Sequence, residues 1–329
     1  MPIRYYSSLD AGSPVLSGGL YERVRTVMLA CLVNGYGAKE AAGWELVHDV
    51  TGGFSLSNGD GIINWVRNAA VEYVGVYIME AVTDISTPLA GGVNRRSAGW
   101  ADDASSERAY FYQAGGFNSG SNPHWSVVAD EKTVIFYAGS GGSASPGVWG
   151  TGFAHYFGAY VNALGLSGVA TFCSLGNGIG SHSTYALARQ DRRYGNCLRN
   201  PETGLIDQGV ARYGASPAIH WRAITATAVP ALAPSRLSPV RAALFAHGGT
   251  FAGTSPAAAS VVGYLRGLIS EPSLSGADFS DVCRLFGKPN VWQSRVKVLD
   301  LPGGHQWVPI FPHKDDLGYF ASLDPADWG

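Results

Sequence analysis

Residues 20–34 (LYERVRTVMLACLVN) constrain this chain most, because they carry the one clear helical period in a sequence otherwise patterned for strands. Leu20, Val24, Val27, Met28, Cys31 and Leu32 recur at spacings that place them on one helix face, which must pack on a sheet. Ser17 is the expected N-cap. Asn34-Gly35 is the expected stop, since both residues tolerate the left-handed backbone that ends helices. A tight loop over residues 36–39 then leads to Gly43-Trp44.

Elsewhere, β-branched and aromatic runs alternate with glycine-rich turns. Residues 3–6, 45–50, 62–66, 71–81, 153–160, 169–175, 219–229, 261–268, 291–293, 295–299 and 306–311 read as strands. Residues 125–130 and 133–137 read as a hairpin around Asp130-Glu131-Lys132. Residues 84–108, 186–215 and the proline-rich 230–239 read as loops or connectors. Residues 138–146 are almost wholly Gly, Ser and Ala, the composition of a linker. The expected fold is mainly β, with sandwich or barrel-like modules, long loops and one short helix packed on a sheet. Two modules are expected, 1–140 with the helix and 141–329.

Only 15% of residues are charged, the net charge is −2, and 44 residues are glycine. Few charges leave broad surfaces with little repulsion, as suits packed subunits. There is no long Lys/Arg run, so a nucleic-acid partner is not expected. Arg95-Arg96 and Arg192-Arg193 read as solvated loop charges. No apolar run approaches the ~20 residues of a membrane helix, and the N-terminus lacks a signal-peptide core, so synthesis in the cytoplasm is expected. Cys31 on the helix face and Cys173 in an apolar run read as buried thiols. A Cys173–Cys197 disulfide is the alternative. With Cys283, the spacings match no zinc pattern.

Chemical signatures are sparse. There is no Gly-x-Ser-x-Gly at a strand-to-helix turn. Histidines 48, 124, 155, 182, 220, 247, 305 and 313 stand singly, and only His305 and His313 flank a strand where two ligands could converge. The pairs Asp102-Asp103, Asp130-Glu131 and Asp315-Asp316 are adjacent, and neighbours on a strand point to opposite faces. Gly176 to Gly180 echoes a nucleotide loop but precedes Ser-His-Ser-Thr-Tyr rather than an amphipathic helix, so it reads as a turn. Lys39 has no general base or phosphate cradle beside it and reads as a loop or contact residue. No catalytic, cofactor-binding or metal-binding residue is expected. Abundant Trp and Tyr leave a sugar-binding groove as an alternative.

The run ACLVNGYGAKEAAGW resembles one common in a family of virion structural proteins of tailed bacteriophages. In that family a short helix ends in a Leu-Val-x-Gly-Tyr-Gly-x-Lys loop and a Gly-Trp strand follows; here these are Leu32, Val33, Gly35, Tyr36, Gly37, Lys39, Gly43 and Trp44. Four further blocks keep the order: YIMEAVTDIST (77–87), HWSVVADEKTVIFY (124–137), YFGAY (156–160), where Ala159 replaces the usual Asp, and GYLRGL (263–268). Residues 176–260 add almost nothing to the likeness. The resemblance implies a non-enzymatic assembly role at the tail tip or baseplate, with a head-decorating or neck position as the alternative. The implied partners are other copies of the chain and neighbouring virion proteins. Residues 1–19, 84–124 and 230–260 are expected to carry those contacts, because long loops without secondary-structure signal are usually functional.

Overall fold

The computed structural model describes residues 2–68, 73–84, 91–97, 109–111, 123–140, 152–168, 170–176, 197–199, 201, 204–208, 212–213, 240–247, 259–275, 296–310 and 317–329. The fold is mainly β, with four antiparallel sheets and one N-terminal helical segment among the described residues. Strands are numbered in chain order. The first sheet runs β1 (Arg4–Ser7), β10 (Pro123–Ala129), β11 (Thr133–Ser140), β12 (Gly152–Gly158), β14 (Cys173–Gly176), β15 (Cys197–Arg199) and β16 (Ile206–Gln208). The second runs β2 (Glu45–Val50), β3 (Gly53–Ser57), β4 (Ile62–Asn68) and β5 (Tyr73–Met79), with β8 (Arg96–Ser97) and β9 (Ala109–Phe111) both pairing with β5. The third runs β17 (Arg212–Tyr213), β18 (Val240–His247), β19 (Ala259–Ser275), β22 (Leu317–Ser322), β21 (Gln306–Pro309) and β20 (Leu299–Asp300), with β13 (Tyr160–Asn162) on β19. A two-stranded ribbon joins β6 (Ala81–Asp84) and β7 (Gly91–Val93).

The first sheet is buried on both faces. One face offers Tyr6, Trp125, Val127, Val134, Phe136 and Phe157 to a core shared with the helix and the second sheet. The other offers Val128, Ile135, Tyr156, Cys173 and Leu175 to a core shared with Leu265, Leu268, Val308 and Ala321 of the third sheet. Two buried faces explain why β10 and β11 read as nearly unbroken apolar runs rather than an alternation.

The helix α1 (Leu20–Met28) continues as a π-helical turn, Leu29–Asn34. All six residues of the expected apolar face are buried. The N-cap is Gly19 rather than Ser17: the Glu22 carboxylate reaches back to accept the Gly19 amide at 3.0 Å. At the other end Gly35 turns the chain, with φ at +74°. The Ala42 amide then donates to Cys31, and those of Gly43 and Trp44 donate to Leu32. The returning chain thus satisfies carbonyls that a helix end leaves open.

The boundary expected at residues 140/141 falls between two paired strands of one sheet, Gly139 standing opposite Gly152. The start of the expected linker belongs to β11. Ala138 lies between Trp125 and Phe153 on the flanking strands, where a small side chain makes room for two large rings. Residues 141–151 lie outside the described residues, as do the expected strands 219–229 and 291–293 and the connector 230–239. Short strands missed in the sequence, β7, β8, β15, β16 and β17, fall in segments expected to be loops. Two or three residues are too few to show a period.

Cys31, Cys173 and Cys197 are free and buried. The disulfide alternative fails on geometry. Cys173 stands opposite Leu198, and Ser174 opposite Cys197, so the two thiols point to opposite faces of the sheet and join different cores.

Candidate functional site

Two polar centres organise the described surface and its joints. The first is built on Asp130, at the end of β10. Its Oδ1 accepts the amides of Lys132 at 2.9 Å and Thr133 at 2.7 Å, which shapes the hairpin turn. Its Oδ2 accepts Arg266 Nη2 at 2.7 Å, in an ion pair where Asp130 is 1% exposed. Arg266 Nη1 donates to Thr133 Oγ1 at 3.0 Å, and its Nε donates to the Trp328 carbonyl. Trp44 Nε1 donates to the Asp130 carbonyl at 3.0 Å. Tyr156 Oη accepts the Arg266 amide and donates to the Ala159 carbonyl, both at 2.9 Å, and burial raises the Tyr156 pKa. Four sequence blocks hundreds of residues apart in total span, around Trp44, Asp130, Tyr156 and Arg266, therefore meet here. The 77–87 block does not; its described part lies at the end of β5 and in β6.

The second centre is the loop after the helix. Tyr36 and Lys39 exchange backbone hydrogen bonds at 3.0 and 2.8 Å, closing a tight turn. Tyr36 Oη donates to Asp10 Oδ2 at 2.7 Å and accepts the Ser7 amide at 3.2 Å. Burial, then the Asp10 hydrogen bond, pushes the Tyr36 hydroxyl far above the ordinary tyrosine value. Lys39 Nζ donates to the Tyr5 carbonyl at 2.9 Å and stands over the Tyr5 ring. Glu40 accepts Tyr6 Oη on its carbonyl at 2.6 Å and pairs with Arg4 at 3.0 Å. The expected contact role of Lys39 takes this form inside the chain: it ties the loop to β1.

Three serine–histidine pairs were not foreseen, because their members are far apart in sequence or on different strands. His48 Nδ1 lies 3.0 Å from Ser55 Oγ, which accepts Asn64 Nδ2 at 2.8 Å. His155 Nε2 lies 2.8 Å from Ser174 Oγ, and His124 Nδ1 lies 3.3 Å from Ser8 Oγ. A serine nucleophile must meet its substrate, yet Ser55 and Ser174 have no exposed surface. The first two are core hydrogen bonds between strands, while Ser8 is a half-buried turn residue beyond β1 whose Oγ also accepts the Trp125 amide at 3.3 Å. Burial lowers His124 to about 4 and His155 to about 3.

His305 lies 3.3 Å from Asp324, while His313 falls outside the described residues, as do Asp102-Asp103, Asp315-Asp316, Arg192-Arg193 and Cys283. Of Gly176 to Gly180 only Gly176, ending β14, is described. Among the described residues no three His, Cys, Asp or Glu side chains could hold a metal ion, and no helix is long and apolar enough to cross a membrane. An open cleft is lined by Tyr21, Arg25, Asp49, Val50, Thr51 and Gly52, with Arg25 and Asp49 ion-paired between α1 and β2. No family model matches the chain, and no curated protein matches it.

Proposed function

We propose that this chain is a structural component of a tailed-bacteriophage virion, at the tail tip or baseplate. There its copies assemble into a symmetric ring against neighbouring tube, hub or baseplate proteins. The observation that carries this reading is the junction at Asp130. Four of the five blocks that resemble the virion family supply its side chains or backbone. Residues that serve catalysis would line an open cleft; these line a buried joint, which suits a scaffold. The low charge of the whole chain supports the same reading.

The test is to locate the chain in intact particles with gold-labelled antibody, followed by image reconstruction. Label at the distal end of the tail is expected. Label on the head or neck would assign the decorating or neck role instead, and particles without the chain would overturn the reading. A carbohydrate-binding role is the second reading, favoured by the cleft where Arg25 donors and Asp49 acceptors stand together. Saturable binding of a polysaccharide, lost on Arg25→Ala, would promote it.

A further inference from the structure

The loop after the helix has a consequence for how copies of the chain meet. In an antiparallel ladder, residues alternate between those bonded to the partner strand and those whose amide and carbonyl face away. The Ser8 amide donates to Trp125, one step beyond the Ser7–Ser126 pair. Tyr6 and Arg4 share that phase, so the backbone groups of Tyr5 and Ser7 face outward. β1 is the terminal strand of its sheet. An outward row of this kind is a template for another strand.

Groups of the same chain already occupy that row: the Asp10 amide donates to the Ser7 carbonyl at 3.0 Å, and side chains meet the rest that is bonded. Lys39 Nζ covers the Tyr5 carbonyl, and Tyr36 Oη and the Asp10 carboxylate both accept the Ser7 amide, the latter at 2.8 Å. The Arg4–Glu40 pair holds the loop alongside the strand. An ammonium, a phenol and a carboxylate satisfy backbone groups but cannot continue a ladder.

We propose that residues 36–40, with Asp10, form an edge cap that keeps β1 from pairing with β1 of a second copy. The sequence of β1 is compatible with pairing to a second copy. Laid antiparallel on itself about Tyr6, β1 sets Tyr5 against Ser7 and Arg4 against Ser8, so no like charges meet. The inference does not rest on the virion reading, since it concerns the purified chain alone.

The test compares the wild-type chain with Asp10→Ala/Tyr36→Phe/Lys39→Met by light scattering, over a concentration range where the wild-type mass is constant. Circular dichroism checks that each variant folds. The weight-average mass of the uncapped variant should at least double across the range. Adding Ser7→Pro should return it to the wild-type value, because proline removes an outward amide while edge strands tolerate it. A folded uncapped variant that keeps the wild-type mass would overturn the proposal, and so would association that survives Ser7→Pro. Should the triple variant not fold, Lys39→Met alone, which frees the Tyr5 carbonyl, decides by the same two criteria.

Discussion

Gly35 holds φ at 74° and ψ at 172°, a region open to glycine and closed to branched side chains. A Cβ there would stand 2.5 Å from the Lys39 carbonyl oxygen, which accepts the Tyr36 amide. Gly35→Val should therefore cost about 3 kcal/mol or more, read by chemical denaturation. An unchanged unfolding midpoint would refute the role of this turn. Arg266 is a second sensitive residue. Arg266→Met leaves the Asp130 carboxylate buried without its cation, a change that costs about 3–5 kcal/mol. Pairing it with Asp130→Asn should recover part of the loss in a double-mutant cycle; strict additivity would mean the two do not interact. Burial also sets a pH response. His155 and His124 stay neutral in the folded chain down to about 3 and about 4, whereas unfolding restores the ordinary value of 6.5. Below pH 6.5 the unfolded state binds more protons, so stability is full above that pH and falls as pH drops toward the folded values. His155→Gln should flatten part of this slope in denaturation curves taken between pH 7 and 4; an identical slope would show that His155 does not contribute.

At the scale of elements, the helix is held at both ends by groups outside its own ladder. Glu22 accepts the Gly19 amide and also pairs with Arg67 on β4 at 3.0 Å. Glu22→Ala should cost about 1 kcal/mol, the usual worth of an N-terminal cap, and Glu22→Gln less, because the amide oxygen can still accept. Equal losses for the two would place the effect in the charge rather than the hydrogen bond. The C-terminal end widens into a π turn while keeping Leu29, Cys31 and Leu32 buried. The same two-sided anchoring appears at the end of the chain. Trp328 packs on Gly267, where a Cβ would lie 2.2 Å from the indole, and its Nε1 donates to the Ser322 carbonyl at 2.8 Å.

In the whole molecule, the first sheet lies between two cores, so neither face of β10–β12 is available for contacts with other copies. Exposed strand residues lie instead on the other sheets, as with Val47 on β2 and Tyr264 on β19. Of the segments expected to carry contacts, residues 4–7 form a strand of the first sheet, where one is expected at 3–6, with Tyr6 fully buried, and residues 240–247 form β18 of the third sheet rather than a loop, while Val15 is 89% exposed. Limited proteolysis of free chain and of particles should cut residues 8–19, 84–124 and 230–260 more slowly in particles. Equal rates in both forms would refute their role in assembly.

The helix, its buried face and its stop at Gly35 were legible in the chain, because they depend on spacings within one local segment. Several of the longer strands, β2, β4, β5, β10 and β11, were legible too, from β-branched and aromatic runs between turns, whereas β18 and β22 were not. What tertiary structure decided is which distant segments meet. That Asp130 receives Arg266, that Lys39 covers Tyr5, and that Cys173 and Cys197 face apart all follow from strand order and register. So does the sheet that bridges residues 139 and 152, where glycine and alanine had suggested a linker. Register fixes the face on which every side chain lies, and it is set by long-range pairing that no local period records.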